Sequence, residues 1–320
     1  MSTALMEPRP LPPARLTSYR YWEGRPAQEL RAIRAKLDLV LDDMTRQFDL
    51  FAIPEEGAPA PSLAAAIAAK NENLGCILSP SQANTYLTCN AKWWFKYGLG
   101  LPDPKGGSFV RGLAVHKVIE TWYKLTMAGA APDIEDMHEP HDDAWDALSA
   151  DASFAEGDDI DELKRQGAQF LRRYLEDVAP HIHPAALEQH LTGEIGGVKV
   201  QGYIDILDVD GRIIDVKTAA KSPSGVDSSY AFQLATYRQI CPGASGKVRL
   251  DTLVATKTPK VVTTEYEVTP ADQLMTRNLY PRAREGIREG LYLPNRGCNL
   301  CSRKYCNFAD ACEKEFGGKV

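Results

Sequence analysis

The sequence predicts an α/β protein in which helices flank a mixed β-sheet. Three observations lead to this fold class. Short apolar strands cluster between residues 190 and 268, and segments with helical periodicity lie before and after them. The dipeptide Asp210-Gly211 is a strong turn signal that joins two of the strands into a hairpin. Strands framed by helices on both sides are typical of a sandwich around one sheet.

The first 70 residues differ from the rest and are predicted to form an N-terminal extension. Residues 1–13 are rich in proline, which is typical of disorder. Residues 26–51 repeat apolar side chains at helical spacing, so they predict an amphipathic helix that packs on the core or binds a partner. Residues 52–62, rich in Pro, Gly and Ala, read as a linker. Residues 71–320 then form the main domain.

Within the main domain the elements are predicted in chain order. The segment Ser79-Pro80-Ser81-Gln82 has the residues of a helix N-cap and capping box and begins a predicted helix over 80–97. Periodicity predicts further helices at 108–127, 161–178, around Gln233 and at 270–289, with an irregular acidic stretch at 128–159. Strands are predicted near 190–196, 198–208, 212–218, 247–256 and 261–268.

The hairpin around Asp210-Gly211 carries two acidic residues whose register decides the chemistry. A three-residue loop, 209–211, with Gly211 left-handed places Asp205 opposite Asp215, whereas a two-residue loop places them on opposite faces. Facing carboxylates repel each other, and a divalent cation between them removes that repulsion. Hard oxygen ligands suit Mg²⁺ or Mn²⁺. The alternative is a surface hairpin with solvated charges.

Other polar side chains share faces with their neighbours. Lys217 follows Asp215 by two residues and therefore lies on the same face of its strand. His116 and Glu120 are one turn apart on one face of a predicted helix, as are Gln233 and Tyr237 on a later one.

The order of these motifs resembles the PD-(D/E)XK nuclease superfamily. The chain has a G-x-x-V-H helix from Gly112, a G-x-I-D strand from Gly202, a D-x-K strand from Asp215 and a Q-x-x-x-Y helix from Gln233. The most similar branch is the RecB-type exonucleases, which include CRISPR-associated and phage enzymes with a cysteine cluster. The resemblance runs over residues 78–312. It implies a restriction-endonuclease-like core and a metal-dependent DNA exonuclease that hydrolyses phosphodiester bonds.

The resemblance also implies a role for each motif residue. Lys217 would orient or deprotonate the attacking water, or stabilise the transition-state oxyanion. Gln233 and Tyr237 would brace the strand or contact the DNA backbone. Glu120 would support the site, and Glu194 is a further candidate ligand. The groups implied to bind Mg²⁺ or Mn²⁺ are His116, Asp205, Asp215 and the carbonyl of Val216.

The cysteines point to a second metal site. Four of the seven lie in the segment 298–312 as C-x2-C-x4-C-x5-C. In a reducing cytosol such a cluster favours metal binding over disulfides. One reading is a zinc site that uses these four thiolates. The other is a [4Fe–4S] cluster that uses three of them and Cys89 from far upstream. The zinc ligands would be Cys298, Cys301, Cys306 and Cys312.

The family resemblance favours the iron–sulfur reading. Its upstream ligand lies in a C-x-x-K/R-aromatic stretch, which matches Cys89 and the residues after it. The usual C-terminal trio, C-x2-C-x5-C, is not reproduced, because four residues separate Cys301 from Cys306. We therefore expect a [4Fe–4S] cluster held by Cys89, Cys301, Cys306 and Cys312, with zinc as the alternative. The cluster would tie the two ends of the domain together.

Composition sets the outer bounds on function. The chain has 320 residues with 44% hydrophobic and 25% charged residues, which are ordinary values for a soluble protein. The formal net charge of −6 does not by itself mark a nucleic-acid-binding protein. Bound metal ions would nevertheless bring positive charge to a site. Aromatic residues interleaved with lysines at 92–97 either stack on nucleic-acid bases or pack in the core.

Location and partners follow from what the sequence lacks. No segment reads as a signal peptide, and no stretch is long and apolar enough to cross a membrane, so we expect a cytoplasmic protein. No helicase or P-loop signal is present, so unwinding would come from a helicase or recombination partner. The expected setting is DNA recombination, repair or phage DNA processing. Alternatives are a structure-specific endonuclease and a non-catalytic or partner-dependent DNA-binding iron–sulfur protein.

Overall fold

A computed structural model describes residues 74–155 and 157–320 of the chain. The predicted N-terminal helix, the linker and the domain boundary at residue 70 lie outside these residues. The described strands are β1 (Ile77–Leu78), β2 (Pro184–Ile195), β3 (Val198–Asp208), β4 (Ile213–Ala219), β5 (Lys247–Val254) and β6 (Lys260–Glu267). The described helices are α1 (Pro80–Thr88), α2 (Asn90–Trp93), α3 (Gly107–Met127), α4 (His138–Ser149), α5 (Ile160–Asp177), α6 (Ser228–Ile240), α7 (Pro270–Arg288) and α8 (Ala309–Phe316).

The described strands form one mixed sheet in which β3 has a central place. Along one edge β3 pairs antiparallel with β2, and along the other it pairs parallel with β1 and antiparallel with β4. The sheet continues through β5, parallel to β4, and ends at β6, antiparallel to β5. Because β3 contacts three strands, its side chains lie at the middle of the sheet, where the predicted site residues are.

Helices cover both faces of the sheet. On one face α1, α6 and α7 pack on the strands, with Phe232 and Tyr280 in contact at 5.0 Å between ring centroids. On the other face α3 and α5 form a second core that contains Phe170 and Tyr174. The predicted α/β sandwich is therefore confirmed. No helix in the described ranges has the length and apolar character needed to span a bilayer.

The helix predicted over 80–97 begins as expected but ends early. Ser79 Oγ accepts a hydrogen bond from the Gln82 amide at 3.2 Å, which caps α1. The helix stops at Cys89, whose backbone is extended with φ −159° and ψ 108°. The extended backbone lets the Cys89 thiol face a cysteine-lined cavity. Trp93 and Phe95 are buried, so these two aromatic residues belong to the core.

Two other predicted boundaries were wrong. The stretch 128–159 contains α4, because Met137, His141 and Trp145 form a buried stripe at helical spacing despite the acidic residues between them. Strand β2 begins at Pro184, six residues before the predicted start at 190. The early part of β2 lacks regular apolar and polar alternation, so its sequence gives little sign of a strand.

Candidate active site and cysteine-lined cavity

The β3–β4 hairpin has the register on which the predicted chemistry depends. Its loop contains three residues, because the Asp208 amide donates to the Arg212 carbonyl at 2.9 Å. Gly211 has φ +76°, the left-handed conformation that such a loop requires. The paired residues beyond the loop keep this register, so Asp205 falls opposite Asp215. The three-residue loop is confirmed.

The two strands separate where the acidic residues lie. The recorded pairing ends at Ile206 and Ile214. The next amide in line for a ladder bond is that of Val216, which donates instead to Asp205 Oδ2 at 2.7 Å. A side-chain carboxylate thus takes the place of a backbone acceptor. This bond fixes the Asp205 carboxylate beside β4.

A second carboxylate and an imidazole lie beside Asp205. The ligand atoms of His116 on α3, Glu188 on β2 and Asp205 on β3 all lie within 4.8 Å of one another. His116 Nδ1 is 3.5 Å from Asp205 Oδ2. The three residues line one small cavity together with Glu120 and Val216. One imidazole nitrogen and two carboxylates are a donor set that suits a divalent cation such as Mn²⁺ or Mg²⁺.

Glu188 was missed by the sequence prediction. Strand pairing on either side places it opposite Asp205 across β2 and β3. Its φ of 45° makes it the only non-glycine residue with positive φ in the described ranges. Burial, together with the nearby Asp205 carboxylate, raises the pKa of Glu188 to about 8. The sequence signal that could have revealed Glu188 is the turn Gly196-Gly197. If these two residues form the hairpin turn, counting outward along both strands pairs Glu188 with Asp205.

The predicted ligand Glu194 lies elsewhere. It is opposite Lys199 near the β2–β3 turn, six residue pairs away from the Glu188 position, and is outside the group that contains His116. The carboxylate of Glu120 does reach the cavity, but it accepts hydrogen bonds from Lys117 at 2.8 Å and from Lys124 at 2.6 Å. Glu120 is therefore positioned to hold these two lysines beside the cavity.

Asp215 belongs to a separate network on the other side of the hairpin. Its Oδ2 is 2.5 Å from Lys217 Nζ, and its Oδ1 accepts a hydrogen bond from Gln233 Nε2 at 3.1 Å. The same Gln233 nitrogen is 3.0 Å from the Tyr237 hydroxyl. Burial works to lower the pKa of Lys217, but the Asp215 and Asp205 carboxylates outweigh it and raise that pKa. Lys217 is thus held as an ammonium ion.

The predicted site residues therefore fall into two adjoining groups. His116 and Asp205 meet as expected, with Glu188 added to them. Asp215 and Lys217 share a strand face, and Gln233 and Tyr237 reach them from one face of α6. Asp215 was expected to join the metal ligands directly; in this structure its oxygens contact Lys217 and Gln233. Val216 links the two groups, because its backbone amide donates a hydrogen bond to the Asp205 carboxylate.

Two motif glycines allow the helices to approach this site. A Cβ on Gly202 would lie 2.5 Å from Cε1 of Tyr237, so only glycine lets the tyrosine ring rest on β3. A Cβ on Gly112 would lie 3.0 Å from Oγ1 of Thr218. The glycines of the G-x-I-D and G-x-x-V-H segments thus set how closely α6 and α3 pack on the strands that carry the acidic residues.

The cysteines of the predicted second metal site meet in one cavity. It lies between the α1–α2 break and the C-terminal segment. Burial raises the pKa of the Cys312 thiol, and the nearby thiols of Cys89, Cys306 and Cys301 add to the rise while Arg296 opposes it. The cysteines that line the cavity are Cys89, Cys298, Cys301, Cys306 and Cys312.

Within the described residues, the cysteine thiols are not gathered at the spacing of ligands around one zinc ion. Four thiolates around one zinc at about 2.3 Å require sulfurs about 3.8 Å apart. Among the described residues, no three cysteine sulfurs lie within 4.8 Å of one another. The Asn295 amide donates to Cys89 Sγ at 3.4 Å, the kind of hydrogen bond that thiolate ligands of iron–sulfur clusters accept.

Comparison with known proteins gives the class of this chain. The PD-(D/E)XK nuclease superfamily matches residues 77–313, so the chain belongs to this superfamily, a class of metal-using nucleases that act on DNA. No curated protein matches the chain. A solved structure from Eubacterium rectale, named as a candidate exonuclease, has 14% identity and a TM-score of 0.49, covering 77% of this chain and 93% of its own. The structure of SSO0001 has 14% identity and a TM-score of 0.35, covering 72% of this chain and 96% of its own.

Proposed function

We propose that this protein is a Mg²⁺- or Mn²⁺-dependent DNA exonuclease of the RecB-like branch. The observation that carries the proposal is the meeting of His116, Glu188 and Asp205 beside the Asp215–Lys217 pair. His116, Glu188 and Asp205 would hold the ion, and Asp215 and the Val216 carbonyl lie at the same end of the hairpin as further candidate ligands. Carboxylates that repel each other without a counterion are a strong reason for a cation at this point.

The protein groups around the ion have distinct tasks in this proposal. A bound divalent cation would supply an acidified water and stabilise charge on the phosphate oxygens. Lys217, fixed by Asp215, is an ammonium donor that would orient the water or stabilise the oxyanion. Gln233 holds the second oxygen of Asp215 and is itself braced by Tyr237. This chain of contacts fixes the position of the lysine.

We also propose a [4Fe–4S] cluster held by Cys89, Cys301, Cys306 and Cys312. The shared cavity and the proximity of Cys312 to the other three thiols support this choice, and the motif resemblance favours it over zinc. The cluster would join residue 89 to the C-terminal segment and close a loop of more than 200 residues. Its ligand binding energy would contribute to folding. We assign it a structural task rather than a redox one.

The wider setting that we propose is recombination, repair or phage DNA processing, with a helicase or recombination protein as partner. This setting follows from the RecB-type motif order. A structure-specific endonuclease and a DNA-binding iron–sulfur protein without catalytic activity are the competing functions. Each competing function predicts a different result in one experiment.

The experiment measures degradation of end-labelled single- and double-stranded DNA, linear and circular, by anaerobically purified protein in Mg²⁺, Mn²⁺ or EDTA. We expect metal-dependent loss of linear DNA that disappears in Asp215→Ala. Cleavage of circular DNA would indicate an endonuclease. A folded, cluster-loaded protein that binds DNA without cleaving it would indicate the binding function. The visible spectrum and metal content of the same sample decide between iron–sulfur and zinc.

A further inference from the structure

An exposed aromatic pair lies on the β2–β3 hairpin next to the candidate metal ligands. The rings of His190 and Tyr203 stack with centroids 4.7 Å apart and an interplanar angle of 24°. The two residues are opposite each other in the strand pairing. Tyr203 remains 40% exposed although His190 covers one side of its ring. The uncovered side of the ring is therefore open to contact with a ligand.

The pair and the metal ligands project from the same face of the hairpin. Tyr203 and Asp205 flank Ile204, which is buried in the core formed with α6 and α7 on the opposite face. Strand alternation therefore directs both Tyr203 and Asp205 away from that core. The opposing strand repeats the arrangement, with His190 two residues from Glu188. Two residues along a strand span about 6.6 Å.

This distance matches the dimensions of a nucleic-acid strand. Successive phosphates of a stacked strand are about 3.4 Å apart along its axis. A phosphate at the His116–Glu188–Asp205 group would thus leave a base one or two nucleotides away within reach of the Tyr203 ring. Beyond the aromatic pair, the next opposing residues on this face are Thr192 and Gln201, which are uncharged. Because neither residue carries a negative charge, they would not repel a DNA backbone that runs along this face.

We propose that Tyr203, backed by His190, is a stacking platform for a base of single-stranded DNA, one or two nucleotides from the bond that is cut. This inference rests on the proposed nuclease function and adds a substrate preference to it. A ring held by its neighbour is pre-ordered, which favours sequence-tolerant stacking of an unpaired base. A base in an intact duplex cannot offer its face, so the platform selects single strands and frayed ends.

The test uses the full-length protein with Ca²⁺ in place of Mg²⁺ and a 12-nucleotide thymidylate that carries one 2-aminopurine near its end. Stacking on a tyrosine quenches 2-aminopurine fluorescence. We expect the wild type to quench the probe when it is one or two nucleotides from the end. Tyr203→Ala should lose the quenching and weaken single-strand binding about 5- to 150-fold. Tyr203→Trp should restore both.

Two controls separate stacking from damage to the fold. Phe109→Ala removes another exposed aromatic ring, which lies in the first turn of α3, and this variant should bind single-stranded DNA like the wild type. The melting temperature of Tyr203→Ala should remain close to that of the wild type. The effect of Tyr203→Ala on binding should be larger for single-stranded DNA than for a blunt duplex of the same length.

The outcomes for stacking and for nuclease activity are distinct. Wild-type quenching that persists in Tyr203→Ala overturns the platform and leaves the nuclease in place. Quenching that depends on Tyr203, in a protein that cuts no DNA in Mn²⁺, supports the platform and overturns the nuclease. A wild type that neither binds nor cuts DNA overturns both.

Discussion

Glu188 lies directly opposite Asp205 across strands β2 and β3, and both carboxylates come within 4.8 Å of a His116 nitrogen. Two carboxylates this close repel each other in the absence of a counterion. The backbone at Glu188 has a φ of 45°, a conformation that non-glycine residues rarely adopt. The protein therefore holds an unfavourable arrangement at this position, and a bound cation would make it favourable.

Replacing Glu188 tests this relationship. Glu188→Gln removes a carboxyl whose charged form is disfavoured by burial and by Asp205, so we expect the metal-free protein to melt at the same or a higher temperature than the wild type. The affinity for Mn²⁺ measured by calorimetry should fall at least tenfold, because a ligand is lost. The rise in melting temperature on adding Mn²⁺ should shrink accordingly. Glu194→Gln, on the same strand but opposite Lys199, should bind Mn²⁺ like the wild type. Unchanged Mn²⁺ binding in Glu188→Gln would exclude Glu188 as a ligand.

The Asp215–Lys217 pair gives a second prediction. Asp215 is almost fully buried and Lys217 is 24% exposed, so Lys217→Met leaves a buried carboxylate without its partner. We expect a loss of about 3 kcal/mol in unfolding free energy, the low end for broken buried pairs. The double variant Asp215→Asn/Lys217→Met should recover most of that stability while staying inactive. Denaturant unfolding in EDTA and a DNA degradation assay measure the two effects. Equal stability of the single and double variants would show that the pair is not coupled.

Much of this site could be predicted because its residues are close in the sequence. Lys217 follows Asp215 by two residues, and Tyr237 follows Gln233 by four, so strand and helix periodicity alone place each pair on one face. Glu188 was not predicted, because its position depends on a kinked strand and on the register of a distant turn. The helix break at Cys89 was missed for a related reason. It serves a contact with residues more than 200 positions away, which no local pattern encodes.

Gly202 gives a third prediction, since it lets Tyr237 rest on β3. Gly202→Ala would push the ring away and pull Gln233 off Asp215. We expect turnover to fall at least tenfold with little change in Mn²⁺ affinity, because His116, Glu188 and Asp205 do not contact Gln233 or Tyr237. Gly225→Ala is a suitable control, because a Cβ there meets no atom within 4 Å. Normal turnover in Gly202→Ala would show that the contact with Tyr237 does not matter.

The cysteine-lined cavity gives a fourth prediction. Serine at Cys89, Cys301, Cys306 or Cys312 should abolish the brown colour and visible absorbance of the anaerobic protein and lower its thermal stability. Cys298→Ser should keep the spectrum, because Cys298 is not one of the four proposed ligands. Cys241→Ser, a buried cysteine outside the cavity, controls for the loss of any thiol. Loss of the spectrum in Cys298→Ser together with its retention in Cys301→Ser would show that Cys298, and not Cys301, is the cluster ligand.

A buried histidine away from the metal ligands predicts how stability depends on pH. His141 on α4 is fully buried, and within the described residues neither ring nitrogen makes a hydrogen bond. A Cβ on Gly167 would lie 2.6 Å from its Nε2, so α5 presses against the ring. Burial lowers the pKa of His141, and Asp142 at 3.7 Å only partly opposes it. The folded protein therefore keeps this imidazole neutral.

The sign of the effect follows from this depressed pKa. Above about pH 6.5, the usual value for histidine, both folded and unfolded chains carry a neutral ring and stability is unaffected. As the pH falls below that value, only the unfolded chain takes up the proton, so stability decreases by at most about 1.4 kcal/mol per pH unit. Denaturant unfolding of metal-free protein between pH 5 and 8 should show this decrease in a Glu188→Gln background, because the raised pKa of Glu188 gives the opposite slope over the same range. His141→Phe should flatten it, whereas replacing the exposed His138 by glutamine should not. Parallel pH profiles for His141→Phe and the wild type would mean that His141 is protonated in the folded state.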